Sequence, residues 1–107
     1  MGSGPAGISA SLVLAERGFD VDLYEASAEI GGQLNMAKVI PGKEEFHEML
    51  RYFERQIELK GVNVHLNTRV SAEDLVSKKY DGVIIASGVT PRDPNIEGQD
   101  NKKVLSY

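Results

Sequence analysis

Three glycines open the chain in the order Gly2-Ser3-Gly4-Pro5-Ala6-Gly7, and an acidic residue, Glu25, follows 23 positions after the first of them. That spacing suits one kind of chemistry. Gly2 permits a tight turn, Gly4 lets a diphosphate approach the backbone, and Gly7 lets the following helix lie close to a sheet. The N–H groups of the first helical turn lack intrahelical acceptors and would point at the phosphates. A carboxylate about 20 residues beyond the first glycine is placed to accept hydrogen bonds from ribose hydroxyls and would repel a 2′-phosphate. The loop and Glu25 together read as a site for an ADP-containing dinucleotide, with NADP disfavoured. The plain alternative is a glycine turn before an ordinary helix, with Glu25 a solvated strand end.

Such a turn needs a strand before it and a helix after it. Only Met1 stands before Gly2, where about five strand residues are needed, so the first strand is expected to be missing and the chain to be cut from a longer one. After the turn, Pro5 suits the first helical position; the helix is expected over 5–17, with Gly18 as a left-handed stop. Residues 21–25 read as a strand with Val21 and Leu23 on one face, and 26–42 as loop. A helix over 43–60 carries Phe46, Met49, Leu50, Phe53 and Ile57 at helical spacing on one face, read as core, with acidic residues first, basic residues last and Gly61 at its end. A short strand is expected over 62–66, then one or two helical turns over 71–78, with Ser71 as cap and Asp74 completing a capping box.

Residues 80–87 contain Val83-Ile84-Ile85-Ala86, an apolar run that predicts a strand buried on both faces. The alternation of strands and helices predicts an α/β, Rossmann-like three-layer fold with a parallel sheet, lacking its first strand and its C-terminal part. The lost strand belongs at the sheet centre, between 21–25 and 80–87. Its absence predicts either direct pairing of those two strands after a local collapse or pairing with a second copy in a non-native dimer. The apolar end, 103–107, carries no stop signal and suggests a second truncation.

The 107 residues suffice for one domain, and no internal repeat is found. A net charge of −4 without a Lys or Arg run gives no support to a nucleic-acid or membrane-surface role. The absence of cysteine excludes disulfides, thiol chemistry and Cys-ligated clusters within these residues. No stretch reaches membrane-span length, and neither a signal peptide nor a myristoylation motif is present. A cytoplasmic location is the default expectation.

Two further segments narrow the reading. Glu29-Ile30-Gly31-Gly32-Gln33 follows the acidic residue directly, and Ala86-Ser87-Gly88-Val89-Thr90-Pro91-Arg92 follows the apolar run. Together they resemble two-dinucleotide-binding flavoproteins, in which such segments line FAD. Gly31-Gly32-Gln33-Leu34-Asn35-Met36-Ala37, Ile40-Pro41-Gly42-Lys43-Glu44-Glu45-Phe46 and Lys103-Val104-Leu105-Ser106-Tyr107 resemble more closely the bacterial 2,4-dienoyl-CoA reductase and trimethylamine dehydrogenase group. That group joins an FMN-binding barrel with a 4Fe–4S cluster to an FAD- or ADP-binding domain interrupted by an NAD(P)H domain.

The resemblance implies that this chain is the first segment of the FAD/ADP domain, with the rest of the parent polypeptide as its partner. It also implies roles. Gly2, Gly4 and Ala6 would meet the diphosphate and Glu25 the adenosine ribose. Gly32 and Gln33 would lie along the cofactor's middle, Val70 would meet adenine through its backbone, and Ala86, Ser87 and Gly88 would close over the diphosphate. The parent would pass electrons from a nicotinamide through FAD to FMN. Two rival readings remain: a non-catalytic module holding structural ADP, and a fragment that binds no nucleotide alone.

Other residues invite overreading. His47 reads as a solvated helix residue and His65 as an ordinary strand histidine without ligand spacing. Tyr24 could stack on adenine or simply cover the sheet. Arg92 is more simply a loop arginine beside Asp93, and Lys78-Lys79 reads as surface charge. No acid–base pair or nucleophile stands out, which suits flavin chemistry, because the cofactor carries the reaction.

Overall fold

A computed structural model describes residues 1–105; Ser106 and Tyr107, part of the apolar end, lie outside the described residues. Six elements follow one another: α1 (Pro5–Glu16), β1 (Asp22–Tyr24), α2 (Leu34–Ala37), α3 (Glu45–Lys60), β2 (Asn63–His65) and α4 (Ala72–Ser77). The two strands are parallel, in the register Asp22↔Asn63, Leu23↔Val64, Tyr24↔His65. The expected α/β architecture with a parallel sheet is therefore present.

Local chemistry sets the boundaries. Pro5 opens α1 behind Gly4, and Gly18 turns the chain at φ +87° just past its end. Gly61 closes α3 in the left-handed region at φ +68°, where a β-carbon is unwelcome. At α4 the capping box is complete: the Ser71 hydroxyl accepts from Asp74 N–H at 3.1 Å, and the Asp74 carboxylate accepts from Ser71 N–H at 2.8 Å. This short helix buries no side chain, so its cap carries much of its stability. Ser71→Ala should loosen α4 by about 1 kcal/mol, read as roughly fivefold faster hydrogen exchange at Leu75 and Val76 with α3 unchanged.

One face of the sheet is apolar. Ile8 and Leu12 from α1, Leu23 from β1, Ile30, Ile57 from α3 and Val62 form the core, and Val21, Phe53 and Val64 pack against it. Leu50 is buried as expected, whereas Met49 is 39% exposed; the wide apolar stripe on α3 is only partly covered. The opposite face is polar and aromatic. Tyr24 stacks on His65 with ring centroids 4.5 Å apart, and Asp22 accepts from the Tyr80 hydroxyl at 2.6 Å and lies 2.8 Å from His65 Nε2.

Two expectations fail. Residues 34–37 form the short helix α2 inside the expected loop. More importantly, 80–87 forms no strand, and Val83, Ile84 and Ile85 are 46%, 49% and 73% exposed. An extended segment forms a strand only beside a ladder that satisfies its backbone, and among the described residues the bonds across to this segment come from Met1 alone. Met1 N donates to Ile84 O at 2.6 Å, and Ala86 N donates to Met1 O at 2.8 Å. On the other side, Gly2 N donates to Tyr24 O at 2.8 Å. The expected collapse of the flanking segments onto each other does not occur either, because Met1 and Gly2 lie between them. No helix among the described residues is long and apolar enough to cross a membrane.

Candidate functional site

The glycine loop sits where β1, α1 and the 80–87 segment converge. Close packing explains its glycines. A β-carbon on Gly7 would lie 1.8 Å from Gly2 O, and one on Gly2, whose φ is +91°, would lie 2.3 Å from Ala86 O. Gly4 differs: nothing lies within 4 Å of the place its β-carbon would take, so this side of the loop is open to a ligand. The N–H groups of Ala6 and Gly7 find no acceptor among the described residues, as the start of a helix leaves them. The loop is thus backed by protein on one side, open on the other, and rich in free donors.

Glu25, one residue past β1, folds back onto this loop. Its Oε2 accepts from Ser3 N–H at 2.8 Å and from the Ser3 hydroxyl at 2.7 Å. Its Oε1 accepts from Ser27 N–H and the Ser27 hydroxyl, both at 2.8 Å. Partial burial works to raise the carboxyl's pKa, but the four bonds from Ser27 and Ser3 outweigh it and hold the group at about 2. Glu25 is therefore an anion at any physiological pH, fixed beside the first glycines. Ser3 and Ser27 were not singled out from the sequence. A serine inside the glycine motif and another two residues beyond the acid are the signals that could have found them.

The second glycine pair packs onto the first motif. Gly31 N donates to Ser3 O at 2.8 Å, and a β-carbon on Gly32 would lie 3.0 Å from Gly4 Cα. Asn35 fixes this turn by donating from Nδ2 to Ile30 O at 2.8 Å, and its Oδ1 accepts from Lys38 at 2.8 Å. Gln33 follows as an exposed residue at the start of α2. The structure thus gathers Gly2, Gly4, Glu25, Gly32 and Ala86 around one turn, with Ser87 N close to Gly2. Gly88, at φ +74°, has open space around it. Val70 is half-buried in the stretch after Thr68, whose N–H donates to Glu25 O at 2.8 Å; among the described residues Val70 itself makes no hydrogen bond to the loop.

Of the remaining residues, Tyr24 covers the sheet, stacked on His65. Lys78 is more than surface charge, since Nζ donates to the Tyr24 hydroxyl at 2.9 Å and lies 5.2 Å from its ring centre. Arg92 is exposed on its loop. No group of His, Cys, Asp or Glu among the described residues could hold a metal ion.

The sequence model of the pyridine nucleotide-disulphide oxidoreductase family matches residues 1–107. The chain belongs to that family. This segment of a pyridine nucleotide-disulphide oxidoreductase contains no cysteine. It is 34% identical over 107 residues to a NADH oxidase of Thermoanaerobacter brockii, covering 100% of this chain and 16% of the relative. A bilirubin reductase of Mediterraneibacter gnavus is 37% identical over 113 residues, again covering 100% of this chain and 18% of the relative.

Among solved structures, a complex of 2-naphthoyl-CoA reductase with 2-naphthoyl-CoA superposes with a TM-score of 0.90 at 37% identity, covering 94% of this chain and 15% of that one. The likeness to 2,4-dienoyl-CoA reductase-type oxidoreductases, read from the Gly-Gly-Gln and Pro-Gly-Lys segments, is thereby borne out. The chain spans less than a fifth of the length of these relatives.

Proposed function

We propose that residues 1–107 are the adenine-side part of an FAD-binding Rossmann-like domain within a larger NAD(P)H-dependent flavin oxidoreductase of the 2,4-dienoyl-CoA reductase type. The observations that carry this reading are an anionic Glu25 fixed on Ser3, the residue before Gly4, a Gly4 whose β-carbon position is an open face, and N–H groups of Ala6 and Gly7 at the start of α1 that have no acceptor among the described residues. Phosphate and ribose hydroxyls are the two groups such a face can hold together.

In this reading the chain's own residues bind and orient. Gly2, Gly4 and Ala6 offer backbone to the diphosphate, and Glu25 accepts from the ribose. Gly32 and Gln33 border the path toward the flavin, Val70 meets adenine through its backbone, and Ala86, Ser87 and Gly88 flank the diphosphate. When bound, FAD supplies the redox chemistry, which is why no side chain here needs to act as nucleophile or base. FMN and a 4Fe–4S cluster would be held outside these residues, since the chain has no cysteine to ligate iron.

The same geometry favours a second reading, a module that holds ADP structurally, because every residue assigned by geometry meets the adenosine-diphosphate half. Absorbance of the purified full-length polypeptide separates the two. A flavin band at about 450 nm, with FAD released on denaturation alongside any FMN, supports the leading reading. Release of ADP without FAD shifts the assignment to the structural module, and release of neither overturns both.

A further inference from the structure

The four donors that meet the Glu25 carboxylate are not alike. At Oε2 it accepts from the Ser3 N–H at 2.8 Å and the Ser3 hydroxyl at 2.7 Å. Ser3 is fully buried, and its hydroxyl has no second acceptor among the described residues. At Oε1 the carboxylate accepts from the Ser27 N–H and the Ser27 hydroxyl, both at 2.8 Å. Ser27 is exposed, so Oε1 is the oxygen whose partners can exchange with solvent or a ligand.

The Ser27 hydroxyl has a choice that the other three donors lack. It also lies 2.9 Å from Glu29 O, and its single proton can serve only one acceptor at a time. It can leave Glu25 without being left unpaired. The Ser3 hydroxyl, turned away, would be buried without a partner, and the two N–H groups are fixed in the backbone. That backbone is pinned from the chain after β2. Ser27 O accepts from Asn67 N–H and Glu25 O from Thr68 N–H, both at 2.8 Å. Within this fixed frame the hydroxyl is the part that turns.

An ionised carboxylate offers about four lone-pair sites, and here each has a donor. A ribose hydroxyl is a donor of the same kind as a serine hydroxyl. It enters most readily where the resident donor has another acceptor within reach. We propose that the Ser27 hydroxyl is a placeholder for a ribose hydroxyl: it occupies Glu25 Oε1 while the site is empty and turns to Glu29 O when nucleotide binds. This inference rests on the adenine-nucleotide reading of the site. Ser27 is then a positioning residue. Its N–H keeps the carboxylate aimed in both states, whereas its hydroxyl competes with the nucleotide and lowers affinity.

The test is calorimetric titration of ADP and of 2′,3′-dideoxy-ADP into the cofactor-stripped full-length polypeptide, as wild type, Ser27→Ala and Ser27→Thr. The Ser27 side chain is exposed and its backbone bonds do not need the hydroxyl, so both variants keep the fold. ADP should bind Ser27→Ala about threefold more tightly than wild type, because no bond to a charged group is surrendered. Ser27→Thr keeps the hydroxyl and should bind ADP as wild type does. The dideoxy nucleotide displaces nothing, so Ser27→Ala should show no gain with it. Unchanged or weaker ADP binding by Ser27→Ala overturns the placeholder and leaves the nucleotide reading in place, as does an equal gain with the dideoxy nucleotide. A wild-type polypeptide that binds no ADP overturns both.

Discussion

Gly7→Ala is expected to destabilise the chain by about 3 kcal/mol or more, the upper range for overpacking. The added methyl carbon would sit 1.8 Å from Gly2 O and 2.9 Å from Gly2 C. Both are backbone atoms, and Gly2 cannot retreat, because its other side rests on Ala86 and its N–H is bonded to Tyr24 O. Relief would require lifting α1 from the sheet, which exposes Ile8, the side chain buried most completely in the core. Urea unfolding followed by circular dichroism checks this. Gly82→Ala, where no atom lies within 4 Å of the new carbon, should stay within about 0.5 kcal/mol of the parent chain. A Gly7→Ala chain as stable as the parent would mean that the loop and helix do not meet as described.

Glu25→Ala carries the second large effect, through stability and through ligand affinity. The substitution removes the acceptor of four hydrogen bonds. Ser27 is exposed and can turn to water, but Ser3 is fully buried, so its N–H is left without a partner at a cost of about 1–3 kcal/mol. The acid limb of stability should show the same group. The folded pKa of about 2 lies below the ordinary 4.5, so the folded state favours the carboxylate. That contribution is fully present above the ordinary value and is lost as pH falls through 4.5 toward about 2. The Glu25→Ala chain should lack this part of the acid dependence, which urea midpoints measured across that window would reveal.

How far the sequence foretold this structure depends on how local each signal was. The helix starting at Pro5, the glycine stops at 18 and 61, and the Ser71–Asp74 box rest on bonds within a few residues, and all appear where expected. The strand over 80–87 failed because an apolar run describes a place beside a neighbouring strand, and the described residues pair this segment with Met1 alone. Met49 was read as core from helical spacing, which defines a stripe but not how much of it a small domain can cover.

At the site, the glycines and Glu25 were legible because their spacing encodes a turn and a strand length. The two serines that hold Glu25 were not, since each is an unremarkable loop residue until the carboxylate folds back on it. The bonding of Asp22 to His65 and Tyr80 likewise depends on the β1–β2 register, which composition and periodicity do not give.

Gly4 separates folding from binding. Its φ of −70° is open to any residue and the place its β-carbon would take is empty, so Gly4→Ala should fold normally yet obstruct the face proposed to hold the diphosphate.

The central claim is that Glu25 and this open face hold the ribose and diphosphate of an adenine nucleotide. Calorimetric titration of ADP and of its 2′-phosphorylated counterpart into the cofactor-stripped full-length polypeptide tests it most directly. ADP should bind at least about tenfold more tightly than the 2′-phosphate form. Glu25→Ala should weaken ADP by about 1–3 kcal/mol while narrowing that gap. Equal affinity for the two nucleotides, unchanged by Glu25→Ala, would contradict the account.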